Sequence, residues 1–285
     1  MTAQLFPHHA LALLETAYPE LPAKLSHSLT DHPLLSLDAI VALAGRLSPS
    51  NVEYNVGDLP IGIEASAIPK FSLSIAETVR DIEANGAWMV LKQIEQDPEY
   101  RDLLKETLAS IREIIEPKTG PMLTLQGFLF VSASNAVTPF HFDPEHNILL
   151  QVRGSKTFTI FAQADEAIVP PDAHERFHMG EQHRNLVWND AFAAKADPVY
   201  LAPGDAIHVP VKAPHFVRVI DGPSVSLSVT WRSEWSYREA DARALNRLAR
   251  KAGLSPHSPG RWPAQNLIKA QCYRAIRKLH NLATG

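Results

Sequence analysis

Thr138-Pro-Phe-His141-Phe-Asp143 has the alternation of an extended segment. Residues two apart on a strand share a face, so His141 and Asp143 project together while Phe140 and Phe142 project the other way. A third group completing a metal site has to come from a strand that is adjacent in space and distant in sequence. His215 follows Pro203-Gly-Asp205, Val209-Pro210 and Pro214, a punctuation that returns a strand into a barrel; His208 and His146 are the competing choices. Two imidazoles and one carboxylate leave several positions of an octahedral metal open, which suits Fe(II) and O2. Zinc with the same donors is the alternative.

Outward from this stretch the texture is β. Leu123 to Val131 reads as a strand, Asn147 to Val152 as another, and Lys156 to Phe161 as its hairpin partner across an Arg153-Gly-Ser turn. Pro203-Gly-Asp205 is a tight turn feeding Ala206 to Val211, Pro214-His215 opens a further strand, and Leu227 to Trp231 is a late one. Short strands with such turns predict an antiparallel jelly-roll barrel with helices packed outside. Phe158 and Ile160 share the face of Lys156, which favours an inward lysine over a solvated one. An inward lysine needs an anion beside it.

Helices flank this core. Ser36 caps one over residues 37–44, Ser74-Ile-Ala-Glu77 is a capping box for one ending near Gly86, and Trp88 to Leu91 is a short strand between. Asp97-Pro98 opens a long amphipathic helix carrying Leu103, Leu104, Leu108, Ile111 and Ile115, ended by Pro117 and Gly120. After Trp235 two more are expected, Tyr237 to Lys251 and Ala264 to Leu282. The division is a mainly helical region over 1–121, a barrel over 122–232 with an irregular insertion at 162–198, and a basic helical region over 233–285. In the last helix Ile268, Cys272, Ile276 and Leu279 form a stripe that either packs on the barrel or makes a homodimer.

Composition narrows the class. Apolar content of 45% and charged content of 20% are those of a soluble globular protein. No run approaches a membrane span, no signal peptide is read at the N-terminus, and Cys272 is the single cysteine, so a cytoplasmic protein without disulfides is expected. The net charge of −4 conceals an asymmetry: from Arg232 onward eleven Lys/Arg face three Asp/Glu, leaving −12 for the rest. No nucleic-acid motif accompanies this tail, and the simpler readings are the solvated face of helices or a surface that complements an acidic patch of the same or a partner chain.

Taken together, Thr138-Pro-Phe-His141-Phe-Asp143, Asn147 and Gln151-Val-Arg-Gly154-Ser-Lys156 resemble the JmjC/cupin-like 2-oxoglutarate oxygenases, particularly the branch that contains factor inhibiting HIF. The segment from Pro203 to His215 is similar to the family's second metal-binding strand, and the likeness covers about residues 122–232. The resemblance implies a double-stranded β-helix fold and an Fe(II)- and 2-oxoglutarate-dependent hydroxylase. It implies His141, Asp143 and His215 as iron ligands and Lys156 as the partner of the distal carboxylate of 2-oxoglutarate. Thr138 and Asn147 then stand beside the co-substrate, Thr230 is a further polar contact, and Tyr54 is a weaker candidate to reach the site from the N-terminal region. O2 and 2-oxoglutarate are the implied co-substrates, with a protein side chain or a small molecule as the hydroxylated partner. Arg176, His178, His183 and Arg184 in the insertion are candidates to shape that choice. Two other classes fit part of the pattern: a metal cupin that does not use 2-oxoglutarate, and a non-catalytic binding protein on the same barrel.

Overall fold

The computed structural model describes residues 4–68, 75–260 and 263–284. Nine strands form one antiparallel sheet: β1 (Ala23–Ser26), β2 (Val52–Val56), β3 (Ala87–Lys92), β4 (Leu123–Ser132), β5 (Val137–His141), β6 (His146–Ile160), β7 (Asp197–Leu201), β8 (Asp205–Val209) and β9 (His215–Arg232). The strand order is β1-β8-β6-β9-β4-β3-β2, with β5 added to β9 and β7 to β6. The region expected to be mainly helical therefore also supplies three strands. β3 matches the strand expected over Trp88 to Leu91; β1 and β2, only four and five residues long, were not expected.

Two long strands bend the sheet into a jelly roll. β6 runs unbroken from His146 to Ile160, and both its halves pair with β9, so the expected hairpin at Arg153-Gly154-Ser155 is absent. The reason is local. Gly154 takes φ +64° and the ladder shifts register on either side of it, so the chain kinks and continues instead of reversing. Gln151 clamps the kink, donating through Nε2 to the Arg153 and Gly154 carbonyls at 2.6 and 3.0 Å and accepting from Ser226 Oγ. Beyond the kink, Lys156 to Ile160 pairs with β7 on one side and the start of β9 on the other.

Alternation sorts the sheet into two faces. Met89, Leu91, Leu129, Val131, Ile148, Leu150, Leu227, Val229 and Trp231 face a core closed by helices α1 (His8–Ala17), α2 (Leu37–Ala44), α3 (Ile75–Arg80), α4 (Ile82–Asn85), α5 (Pro98–Ala109) and α6 (Arg112–Thr119). Trp88, Val90, Phe128, Phe130, Asn147, Leu149, Ser228 and Thr230, one position along, line a cavity instead. Ser36 caps α2 by accepting from Ala39 N–H at 3.3 Å, and Asp97 caps α5 by accepting from Glu99 N–H at 3.1 Å. Both helices expected to be continuous are broken, one between α3 and α4 and one at Ser110–Ile111 between α5 and α6. The capping Ser74 lies outside the described residues.

The insertion holds α7 (Pro171–His178) and a 3-10 turn, and α8 (Glu234–Lys251) and α9 (Pro263–Thr284) close the chain. The charge asymmetry resolves here. Arg247 pairs with Asp172 and Glu181 at 3.0 and 2.5 Å, Arg250 with Glu175 at 2.7 Å, and Arg274 with Asp241 and Glu234 at 2.5 and 3.0 Å. The basic helices thus complement acidic groups of the insertion and of α8. α9 buries Asn266 and Ala270, while Ile268 and Leu279 are 80% and 68% exposed. The apolar stripe therefore points away from the barrel. No helix among the described residues is long and apolar enough to cross a membrane.

Candidate metal centre and its cavity

β5 delivers His141 as its last residue, with Asp143 just beyond it, and β9 opens with His215 directly opposite His141 in the ladder. Phe140 and Phe142 point the other way, fully buried among Phe161, Ile168, Val169 and Leu186, which fixes the direction of their polar neighbours. One ligand atom from each of His141, Asp143 and His215 lies within 4.8 Å of the others. Both imidazole Nε2 atoms lie 3.7 Å from Asp143 Oδ2.

The ring tautomers follow from the backbone. His141 Nδ1 faces the Pro139 carbonyl at 2.6 Å, and His215 Nδ1 faces the Ala213 carbonyl at 2.9 Å. A carbonyl only accepts, so each Nδ1 carries the hydrogen, and in the neutral ring each Nε2 presents a lone pair. Two lone pairs converging on a carboxylate repel it unless a cation stands between them, and this is the arrangement of metal-bound histidines. Burial and the neighbouring His141 lower the His215 imidazole to about 3, keeping it neutral. Burial alone would raise the Asp143 carboxyl, but the Arg184 guanidinium beside it outweighs burial and holds the group ionised.

His146 and His208 lie on the other face of their strands. His146 joins Tyr18 and Ser233 at 3.1 and 2.8 Å, and His208 faces the Leu21 carbonyl at 3.0 Å. Neither borders the cavity.

The cavity beside the triad has a volume of about 430 Å³. Thr138, Asn147, Lys156 and Thr230 all line it. Lys156 is 4% exposed, and among the described residues no anion pairs with it; burial lowers its ammonium to about 7. Asn147 Oδ1 accepts from Ser228 Oγ at 2.8 Å, which leaves the amide N–H groups for the cavity. Thr230 Oγ1 donates to the Gln126 carbonyl at 3.2 Å, so towards the cavity its oxygen is an acceptor.

Tyr54 does not reach the cavity: it packs against the helical core, and its strand neighbours Glu53 and Asn55 line the site instead. In the insertion, His183 and Arg184 border the cavity, while Arg176 pairs with Asp172 and His178 is half-buried against Phe177. The 184–186 segment lies along β5, with Leu186 N–H donating to the Phe140 carbonyl at 2.8 Å. Lys92 and the aromatic wall of Trp88, Phe128 and Phe130 were missed from sequence; the period-2 alternation of β3 and β4 is the signal that identifies them.

The chain is similar to known proteins in sequence and in fold. Jumonji C domain-containing protein 5 of Drosophila melanogaster is 34% identical over 115 residues, which is 36% of this chain and 26% of that protein. The chain thus matches only about a quarter of that relative's length. The X-ray structure of Escherichia coli YcfD superposes with a TM-score of 0.54 at 16% identity, covering 97% of this chain and 69% of that one. YcfD, a ribosomal oxygenase, in complex with cobalt and 2-oxoglutarate gives 0.53 at 15% identity, covering 96% and 67%. At such identities the likeness is one of fold. The family model described as a cupin-like domain matches residues 67–237, more than half of the sequence, and the chain belongs to the cupin-like domain family.

Proposed function

We propose that this protein is an Fe(II)- and 2-oxoglutarate-dependent hydroxylase. One observation carries the reading: two imidazole lone pairs and a carboxylate converge at a cavity that also holds a buried, unpaired lysine. His141, Asp143 and His215 would hold the iron, and the donor set leaves room for a chelating co-substrate and O2. Iron bound there supplies the oxidising chemistry, reducing O2 at the expense of 2-oxoglutarate decarboxylation to hydroxylate a C–H bond.

The chain's own residues do the rest. Lys156 neutralises the distal carboxylate of 2-oxoglutarate and in turn gains the anion its burial demands. Thr138 and the Asn147 amide offer hydrogen bonds from the cavity wall. Trp88, Phe128 and Phe130 give the cavity an apolar wall that excludes water. Lys156 favours this reading over a metal cupin without 2-oxoglutarate, which would leave that lysine without a task.

A protein side chain is the substrate we favour. The cavity opens beside Arg184 and His183 on a surface loop, and the similar YcfD is a ribosomal oxygenase. A homodimer through the exposed stripe of α9 belongs to the same proposal.

Anaerobic titration of the Fe(II)-loaded protein with 2-oxoglutarate tests the function. The expected result is a saturable visible charge-transfer band that Asp143→Ala abolishes and that needs far more 2-oxoglutarate in Lys156→Ala. Bound iron with no band would sink the reading and favour the other metal-cupin chemistry.

A further inference from the structure

A second cavity, of about 90 Å³, lies apart from the first and shares no lining residue with it. It is bounded by the start of the insertion, the Val211-Lys212 loop, α8 and Ser258-Pro259. Its walls carry hydrogen-bond donors that lack acceptors. Trp235 Nε1 and Gln163 Nε2 are buried without a partner among the described residues; the neutral His174 leaves Nδ1, donor or acceptor by tautomer, unpartnered too, and Trp235 and His174 are 2% and 3% exposed. Unpaired buried donors are rare in folded proteins and point to a missing partner.

The charges point the same way. Lys212 Nζ and Arg243 Nε share one oxygen, Glu239 Oε1, at 2.8 and 3.1 Å. Two cations on one carboxylate leave a positive charge in excess inside the fold. Glu166, also in the wall, is a solvent-exposed carboxylate that accepts from Ser258 Oγ at 2.6 Å, so its charge is screened by water and does not neutralise the buried cations. Water would satisfy the N–H groups but would leave that excess charge without a counter-ion. The volume admits a group several times the size of one water.

We propose that this cavity binds a small oxyanion, a carboxylate or a phosphate group. Lys212 and Arg243 supply the charge, and Trp235 and Gln163 supply directed N–H donors. The site stands immediately behind the candidate metal centre, because the Lys212 backbone N–H donates to the Asp143 carbonyl at 2.8 Å.

Calorimetric titration with sodium phosphate, and separately with sodium formate, tests this against sodium chloride at matched ionic strength. Lys156→Ala serves as a background that removes anion binding in the larger cavity. Saturable heat is expected from at least one probe in that background; which probe gives it separates a phosphate from a carboxylate occupant. Trp235→Phe, which deletes one N–H, should weaken binding about tenfold, the usual effect of losing a hydrogen bond to a charged group. Gln163→Ala, on a surface loop, serves where Trp235→Phe disturbs folding, and weakening in either variant supports the site. Three results would overturn it: no saturable heat from either probe, heat abolished by Lys156→Ala, or heat unchanged in both wall variants.

Discussion

Arg184 holds one oxygen of Asp143: Nη1 and Oδ1 are 2.7 Å apart, while Oδ2 is turned towards His141 and His215. The insertion thereby reaches into the candidate metal centre and orients one of its ligands. Two effects of removing Arg184 oppose each other. Loss of a positive charge favours a cation, and loss of the hydrogen bond frees the carboxylate to rotate. Arg184 is 46% exposed, so its charge is largely screened and orientation dominates. Arg184→Ala is expected to raise the dissociation constant for Co(II) about tenfold, the usual cost of an outer-shell partner. A cobalt titration by visible absorption measures this, and tighter binding would show that charge, not orientation, governs.

Under the proposed function, Lys156 would link co-substrate binding to protons. Its ammonium is lowered to about 7 by burial, so at pH 8 it is mostly neutral in the empty cavity. A bound carboxylate restores the charge, so binding at pH 8 should take up close to one proton, and at pH 6 almost none. Calorimetry in two buffers of different ionisation enthalpy, with Mn(II) in place of iron, reads the uptake directly. An uptake at pH 8 that persists in Lys156→Met would assign the proton to another group.

Much of the site was legible because it rests on alternation. His141, Asp143 and the buried Phe140 and Phe142 follow from strand period alone, as does the face shared by Lys156 and Phe158. His215 is preferred over His208 by the Pro-Gly-Asp punctuation and the resemblance, and the β5–β9 register sets it opposite His141. What escaped depends on contacts distant in sequence. Tyr54 was read as the residue of its segment that enters the site, yet β2 turns Glu53 and Asn55 inward and Tyr54 to the core. Short periods on a lone strand name two faces but not which one is inside. The hairpin expected at Gly154 failed similarly, since a left-handed glycine suits a kink as well as a turn.

Gly154 is the hinge of that kink. A Cβ there would strike the backbone carbonyl of Asp221, and φ of +64° disfavours any L side chain. The clash is with backbone, so no side chain can move aside. Gly154→Ala is expected to cost at least ~2 kcal/mol, since strain at a left-handed position and overpacking act together. Urea denaturation measures it; a loss below about 0.5 kcal/mol would mean that the kink relaxes without Gly154.

The exposed stripe on α9 gives a test of assembly. Ile268, Leu279 and Leu282 are 80%, 68% and 72% exposed, and the opposite face of the helix already packs on α8. Ile268→Glu with Leu279→Glu leaves that packing intact and should convert a dimer to monomers by light scattering. A native protein that is monomeric at micromolar concentration would remove the dimer from the proposal.

Acid should unfold the metal-free protein through its buried imidazoles. His208 is fully buried with Nδ1 facing the Leu21 carbonyl, and burial lowers it to about 4. Burial and neighbouring cations also hold His146 and His174 below the ordinary histidine value. A depressed imidazole favours the folded state above its unfolded value near 6.5, and that contribution fades as pH falls towards the folded value. Each such group costs up to about 1.4 kcal/mol per pH unit across that window. Urea midpoints in chelator should therefore decline from pH 8 to 7, where the buried Lys156 is still taking up its proton, and fall again from 6.5 to 4.5 as the imidazoles are reached. His208→Gln, which keeps an amide donor for Leu21, should make the fall shallower. An unchanged slope in that variant would show that the carboxylates carry the acid transition rather than this histidine.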